Sequence, residues 1–466
     1  MDDKKALKSG IWYTFSNFLV KSMGFITTPI FTRLLTKQEY GELNNYLSWL
    51  AVFTIIISLN LESTLISAKY DYRNKFDEYI FSILSLSSIS AIIWMIVFNV
   101  FSKPFMRLLS LDRIEINAML IYLIFLPAVN MFQAREQYYF EYKKSVIASI
   151  GLAFTSTILS IVFVVSFENK LWGRIWGMVV PTMVLGGFLY YFFYKKGKKI
   201  QLECWHYAIP ICLPYIPHLL SMTLLNSTDR VMIKKFCGSD DTAIYSLAYM
   251  CGSMVTLLLT SLNSAYAPWI GEKIEKEQYS DIKKMSYIYI SFFFLMAVGI
   301  MLIAPEALYI LGGRRYMEAK YVMVPVAMGC VCQFLYTMYV NIEQFKKKTG
   351  GMAIASVLAA MINVILNYIF IPKYGYLAAA YTTLIGYICL LFMHMVLIYK
   401  IGYGFIYNNK FVIFMVLIGC VLSSFISSLY NNNIVRYCFI ISYIFILLCV
   451  ILKYYNKLIF IRRKND

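Results

Sequence analysis

Charged side chains are scarce in this sequence. Asp, Glu, Lys and Arg supply 15% of the 466 residues against 60% hydrophobic. That leaves too few polar groups to solvate two or three soluble domains, so a soluble globular reading is excluded. Long polar segments are missing too, and no gap between apolar runs could hold a folded domain outside a membrane. Neither a GxxxxGK[ST] phosphate loop, nor HExxH, nor a GxSxG elbow is present. ATP hydrolysis would therefore need a separate subunit, and we expect a non-enzyme without cofactors. The ten cysteines lack the paired CxxC spacing of a zinc site. Cys330 and Cys332 would point about 200° apart around a helix, so we read the thiols as small buried hydrophobes and expect no metal. The net charge of +18 has no nucleic-acid-binding fold or aromatic-basic motif behind it, and no nucleic-acid partner is expected.

What is present is a series of long apolar stretches. They lie near 11–35, 42–66, 79–102, 115–135, 145–167, 171–194, 207–233, 243–270, 285–311, 321–345, 350–371, 376–399, 409–430 and 434–456. At about 20 residues per crossing, these predict an all-α integral membrane protein with about 14 transmembrane helices. Lys and Arg total 27 in the two termini and the even-numbered gaps against 15 in the odd-numbered gaps. Because cytoplasmic loops carry the basic excess, both termini are expected in the cytoplasm. Residues 1–10 are basic like the start of a signal peptide, but Lys21 and Arg33 follow with no small-residue cleavage site. The first stretch is read as a retained helix.

A shift of 202 residues brings several features into register. Gly173 falls on Gly375, Glu141 and Lys144 on Glu343 and Lys346, the charged segment 69–78 on 271–280, and Gly41 on Ala243. Six helices followed by six in the same orientation describe a parallel repeat about the membrane normal, an arrangement common in transporters. The expected organisation is a six-helix bundle over 1–200, a second over 201–402, and helices 13 and 14 with a cytoplasmic tail over 403–466.

Charge at membrane depth costs roughly 2.5–3.5 kcal/mol per residue, which makes the few intramembrane polar groups informative. Thr14, Asn17, Lys21, Gly24 and Thr28 share one face of helix 1; the stripe predicts a cavity lining, although Lys21 could instead pair with a neighbouring acid. Helix 7 carries Pro210, Pro214 and Pro217, which should interrupt it, then His218, Asn226, Asp229 and Arg230. Arg230 could line a site or simply snorkel. Asn363 and Asn367 share a face of helix 11 and could bind ligand hydroxyls or bond between helices. Glu62, Glu136, Glu141 and Glu343 sit toward cytoplasmic helix ends, where structural duty is expected, and His394 reads as a satisfied interior histidine.

Three stretches carry a family resemblance. They are Arg33-Leu34-Leu35 with Glu39-Tyr40-Gly41; Thr228-Asp229-Arg230 with Tyr245 and Ala248; and Asn363 to Ala380, containing Leu366-Asn367, Ile371-Pro372, Tyr374-Gly375 and Ala378-Ala379-Ala380. With helix count and length they resemble the polysaccharide-export branch of the multidrug, oligosaccharidyl-lipid and polysaccharide (MOP) exporter superfamily, the Wzx-type flippases of O-antigen and capsule repeat units. Ala243 and Ala378 stand where members often have Gly. The resemblance implies two pseudo-symmetric six-helix bundles in a V, MATE-like, plus two C-terminal helices. It also implies export of an undecaprenyl-diphosphate-linked oligosaccharide across a bacterial inner membrane, with a polysaccharide polymerase as a partner.

A lipid diphosphate carries roughly two negative charges, and a cation in the cavity would offset their desolvation. Lys21 is thus the first candidate ligand, with Asn17, Thr28, Asn226, Asn363 and Asn367 as further substrate contacts and Arg33 and Arg230 receiving the headgroup near the outer face. Asp229 and Glu62 are candidates for coupling to H+ or Na+, membrane potential being the alternative drive. Three competing readings stay open: an ion-coupled exporter of cationic drugs, which should place acids at cavity depth; a membrane polymerase or ligase, which should have a substantial outer loop; and a peptidoglycan-precursor flippase, which would differ in cargo.

Overall fold

The computed structural model describes residues 3–139, 141–346, 350–445 and 447–448. Among them every regular element is a helix, and the described part of each of the fourteen apolar stretches is largely helical. In chain order they are α1 (Asp3–Leu34), α2 (Lys37–Ser58), α3 (Leu65–Asp71), α4 (Phe76–Val100), α5 (Ser102–Leu109), α6 (Arg113–Tyr138), α7 (Tyr142–Ser166), α8 (Lys170–Gly197), α9 (Leu202–Cys212), α10 (Ile216–Phe236), α11 (Ser239–Gly252) and α12 (Val255–Glu275). They continue with α13 (Tyr279–Leu302), α14 (Ala304–Gly312), α15 (Lys320–Phe345), α16 (Gly350–Tyr374), α17 (Tyr376–Lys400) and α18 (Asn409–Leu429). Ten spans among the described residues are long and apolar enough to cross a membrane, or eleven if the bent pair around α2 and α3 forms one crossing. The chain is a multi-pass membrane protein.

Local chemistry sets the helix ends. Thr36 and Glu39 form a capping box at the start of α2: the Glu39 amide donates to Thr36 Oγ1 and the Thr36 amide to Glu39 Oε2. Asp112 and Glu115 form a second at α6, and Asn169 caps α8 through the Trp172 amide. Gly375, at φ +70°, separates α16 from α17 in a conformation that favours glycine. The 202-residue offset extends to these boundaries: the end of α1 at Leu34 falls on the end of α10 at Phe236, and the end of α4 at Val100 on the end of α13 at Leu302.

The prolines of helix 7 interrupt it, as expected, by a single 3₁₀ turn. Pro214 lies in a 3₁₀ turn, Leu213–Tyr215, between α9 and α10, and Pro217 in the first turn of α10, where a missing N–H costs nothing. Leu202–Phe236 still forms one 35-residue span. Helix 2 is the bent one, by 52°, where Leu59 and Asn60 both adopt positive φ before the 3₁₀ turn Leu61–Thr64.

Chain contacts define two units. Unit 1 comprises Met1–Leu247 with Lys348–Leu390, and unit 2 Ala248–Lys347 with Leu391–Asp466. In unit 1, α8 packs against α6 and α7 through glycines. A Cβ built at Gly173 would lie 2.5 Å from the Phe163 carbonyl oxygen, one at Gly177 2.3 Å from Ser160 Cα, and one at Gly186 2.7 Å from Phe125 Cβ. Small residues four apart that admit a neighbouring backbone are the usual means of close packing between membrane helices. Arg135, buried at the end of α6, makes two bonds to Asp77 at 2.5 and 3.0 Å and touches Glu136. In unit 2, Phe293 stacks on Phe334 at 3.8 Å, and His394 Nδ1 lies 2.9 Å from Glu343 Oε1, both side chains buried and the imidazole stacked on Tyr336. His394 is the satisfied interior histidine its sequence position suggested.

Candidate functional site

Unit 1 contains a cavity of about 530 Å³ between α1, α6, α7 and α8. Helical spacing builds its walls: Val20, Met23, Gly24 and Thr27 from α1; Tyr122, Leu126, Val129, Asn130 and Gln133 from α6; Ser149, Leu152, Ala153, Ser156 and Thr157 from α7; and Arg174, Met178 and Thr182 from α8. From Tyr122 to Gln133 the α6 wall runs about 16 Å at 1.5 Å per residue. Its polar groups are hydroxyls and amides that give and accept hydrogen bonds without charge, and among the described residues Arg174 is the single ionised one in the lining.

Arg174 stands three residues into the sixth apolar stretch, and in the sequence it reads as one of the helix-edge cations of the fifth gap. The fold puts it inside. Its Nη1 donates to Ser160 Oγ at 2.7 Å, and its guanidinium carbon lies 4.3 Å from the centre of the Phe31 ring. Its Nε is buried with no hydrogen-bond partner among the described residues, and no described carboxylate pairs with it.

A second constellation in unit 1 closes on Asp229. Fully buried, its carboxylate accepts from Tyr245 Oη at 2.5 Å, Asn367 Nδ2 at 2.6 Å and Thr383 Oγ1 at 2.6 Å. Asn363 supports it from one turn away, its Nδ2 donating to Thr383 Oγ1 at 3.1 Å and its Oδ1 accepting from Asn367 Nδ2 at 3.1 Å. The Thr382 hydroxyl donates to Asn367 Oδ1. The structure thus brings together three residues singled out in the sequence, Asp229, Asn363 and Asn367, and adds Tyr245, Thr382 and Thr383. These additions come from α11 and α17; Tyr245 belongs to the stretch that carries the family resemblance, whereas no local signal pointed to Thr382 and Thr383.

The remaining expected site residues are dispersed. The side chains of Asn17 and Lys21 lie outside the described residues. Of the helix 1 stripe, Gly24 lines the cavity, while Thr28 is buried and donates to the Gly24 carbonyl of its own helix at 2.7 Å. Arg33 is exposed and reaches the Pro29 carbonyl at 3.1 Å. Arg230 donates to the Asn226 carbonyl at 3.0 Å, and Asn226 Oδ1 accepts from Tyr387 at 2.6 Å. Glu62 follows the bend of helix 2, with Asn130 of the cavity wall within hydrogen-bond reach of its carboxyl and its Oε2 without a partner among the described residues.

The family profile described as "Polysaccharide biosynthesis protein" matches residues 6–274, more than half of the chain. The chain belongs to this family. A MatE profile also matches residues 214–369. The family member described here is 22% identical over 376 residues to the "Lsg locus putative protein 1" of Haemophilus influenzae, covering 77% of this chain and 90% of that one. A shorter match, 23% over 163 residues and 34% of each chain, is to the "Probable low-salt glycan biosynthesis flippase Agl15" of Haloferax volcanii. Among solved structures it shares the fold of the "Lipid II flippase MurJ, inward closed conformation", with TM-score 0.71 and 13% identity over 96% of this chain and all of the other. An inward-facing multidrug MATE transporter of the MOP superfamily superposes with TM-score 0.63 at 14% identity, over 89% of this chain and 96% of that one. The polysaccharide biosynthesis family member thus shares the fold of these two transporters.

Proposed function

We propose that this protein is a flippase that carries an undecaprenyl-diphosphate-linked oligosaccharide repeat unit from the cytoplasmic to the outer leaflet by alternating access. The product would feed O-antigen, capsule or other surface polysaccharide synthesis, with a polymerase as downstream partner. The setting is a bacterial inner membrane with both termini cytoplasmic.

The observation that supports this best is the chemistry of the unit 1 cavity. A saccharide presents hydroxyls that must find partners once out of water, and the cavity offers Tyr122, Asn130, Gln133, Ser149, Ser156, Thr157 and Thr182 for them. At about 530 Å³ it falls within the size range of small-molecule sites. Among the described residues no carboxylate lines it, whereas an exporter of cationic drugs would need acids there to replace the hydration of its cargo.

Lys21 remains the first candidate for the diphosphate, with Asn17 and Thr28 on the same helix, and Arg33, Asn226 and Arg230 are candidates for later contacts. Moving about two negative charges out of a negative-inside cell is downhill by roughly 4–5 kcal/mol per 100 mV, enough to bias export without ATP. Asp229, with Asn363 and Asn367, or Glu62 would hold H+ or Na+ if transport is ion-coupled. The test uses proteoliposomes with a fluorescent undecaprenyl-diphosphate oligosaccharide and an impermeant glycosidase, comparing wild type, Lys21→Ala and Arg230→Ala with and without an imposed potential. Rapid exposure by wild type, lost in Lys21→Ala, supports the reading. Exposure no faster than in empty vesicles across several glycans overturns it.

A further inference from the structure

Two described arginines are buried, Arg135 and Arg436, and a third, Arg174, is partly buried with its Nε enclosed; the three are satisfied differently. Arg135 is clamped by Asp77. Arg436, buried in unit 2, has both Nη atoms on Glu306 at 2.6 and 2.5 Å. Arg174 has no acid among the described residues: one hydrogen bond to Ser160 and the face of Phe31 are its partners there, and the titratable groups that act on its charge are the phenols of Tyr40 and Tyr122. A guanidinium carries five N–H donors in a planar fork that matches a carboxylate or phosphate edge, and removing that charge from water without a counter-charge is costly. Arg436 shares an unpartnered Nε, but its charge is already neutralised. Arg174 alone of the three keeps its charge open to a cavity.

We propose that Arg174 is an anion-binding residue of the unit 1 cavity and takes a phosphoryl or carboxylate group of the transported molecule on Nη2, the terminal nitrogen that is left without a protein acceptor and is not enclosed. Ser160 fixes Nη1, and Phe31 fixes the plane of the fork, so the free edge is pre-oriented. Arg174, Met178 and Thr182 follow one another at four-residue spacing on the same wall. An anion held at Arg174 would leave the attached sugars beside the uncharged hydroxyls and amides within about 12 Å along α8. The proposal rests on the flippase reading for the nature of the cargo, and the anion belongs either to the lipid diphosphate or to an acidic sugar of the repeat unit.

The experiment is a ligand titration of thermal unfolding on the purified full chain, for wild type, Arg174→Lys and Arg174→Gln, with inorganic pyrophosphate, glucuronate and glucose. Unliganded midpoints establish that each variant is folded, and Arg174→Lys keeps the charge if Arg174→Gln does not fold. Saturable stabilisation of wild type by an anion is expected, weakened at least about tenfold in Arg174→Gln and partly retained in Arg174→Lys, with glucose indifferent to the substitution. Preference for pyrophosphate assigns the anion to the lipid link, and preference for glucuronate to the glycan. The proposal is overturned if neither anion stabilises wild type, or if the variants bind as wild type does. A chain that binds anions through Arg174 yet exposes no lipid-linked oligosaccharide in vesicles would overturn the flippase reading and leave the anion site standing.

Discussion

Gly177→Ala should destabilise the protein although alanine is the better helix former. The added Cβ would lie 2.3 Å from Ser160 Cα and 2.5 Å from Ser160 N, whereas carbon atoms pack at about 3.5–4.0 Å. Both neighbours are backbone, so no side chain can swing aside, and α7 and α8 must part by on the order of 1 Å. Overpacking of this kind costs about 1–3 kcal/mol, and the gain from replacing glycine inside a helix returns at most about 1 kcal/mol. A net loss of about 0.5–2 kcal/mol is expected. Gly151 on α7 is the control, because a Cβ there meets nothing within 4 Å; Gly151→Ala should show the helix gain alone. Thermal or detergent unfolding of the purified proteins reads both. The packing argument is refuted if Gly177→Ala melts at or above wild type, in step with Gly151→Ala. Because Ser160 also holds Arg174, the destabilised variant should bind anions more weakly as well.

Asp229→Ala would leave three buried donors, on Tyr245, Asn367 and Thr383, without their acceptor. At about 1–3 kcal/mol per orphaned group before relaxation, it should unfold well below wild type in the same melt, and an unchanged midpoint would contradict the network. Thr383→Val removes one donor and should cost a fraction of that, about 1 kcal/mol. Gly375→Ala places a Cβ at φ +70° with open space around it, so its expected cost of about 1–2 kcal/mol is purely conformational; a rise in midpoint would contradict the positive-φ assignment.

Helix identity was legible because each crossing is a long apolar run bounded by caps and glycines: Thr36, Asp112 and Asn169 begin helices where the sequence places polar residues before apolar ones. The bend of helix 2 was not legible, since Leu59 and Asn60 adopt left-handed geometry without a glycine or proline to announce it. Proline suggested a break in helix 7, and the 3₁₀ turn that holds Pro214 supplies it, although Leu202–Phe236 still counts as one span. Asp229, Asn363 and Asn367 stood out because polar groups are rare at membrane depth, but their convergence spans 138 residues of chain between Asp229 and Asn367, and only the fold supplies it. Arg174 escaped notice for a physical reason. A basic residue near a helix end usually snorkels to the interface, and nothing local records that Phe31 and Ser160 draw this one inward.

Movement of a lipid-linked saccharide across a bilayer, and not of a cation, can be read in a single paired assay. Vesicles containing the wild-type protein and no ATP would be given, in parallel, fluorescent undecaprenyl-diphosphate oligosaccharide with impermeant glycosidase, and a fluorescent lipophilic cation preloaded for efflux. Saccharide flipping requires that the oligosaccharide be exposed faster than in protein-free vesicles, more so with an imposed potential of the correct sign, while the cation leaks at the protein-free rate. Protein-dependent cation efflux with no gain in saccharide exposure would contradict it and favour drug export on the same fold.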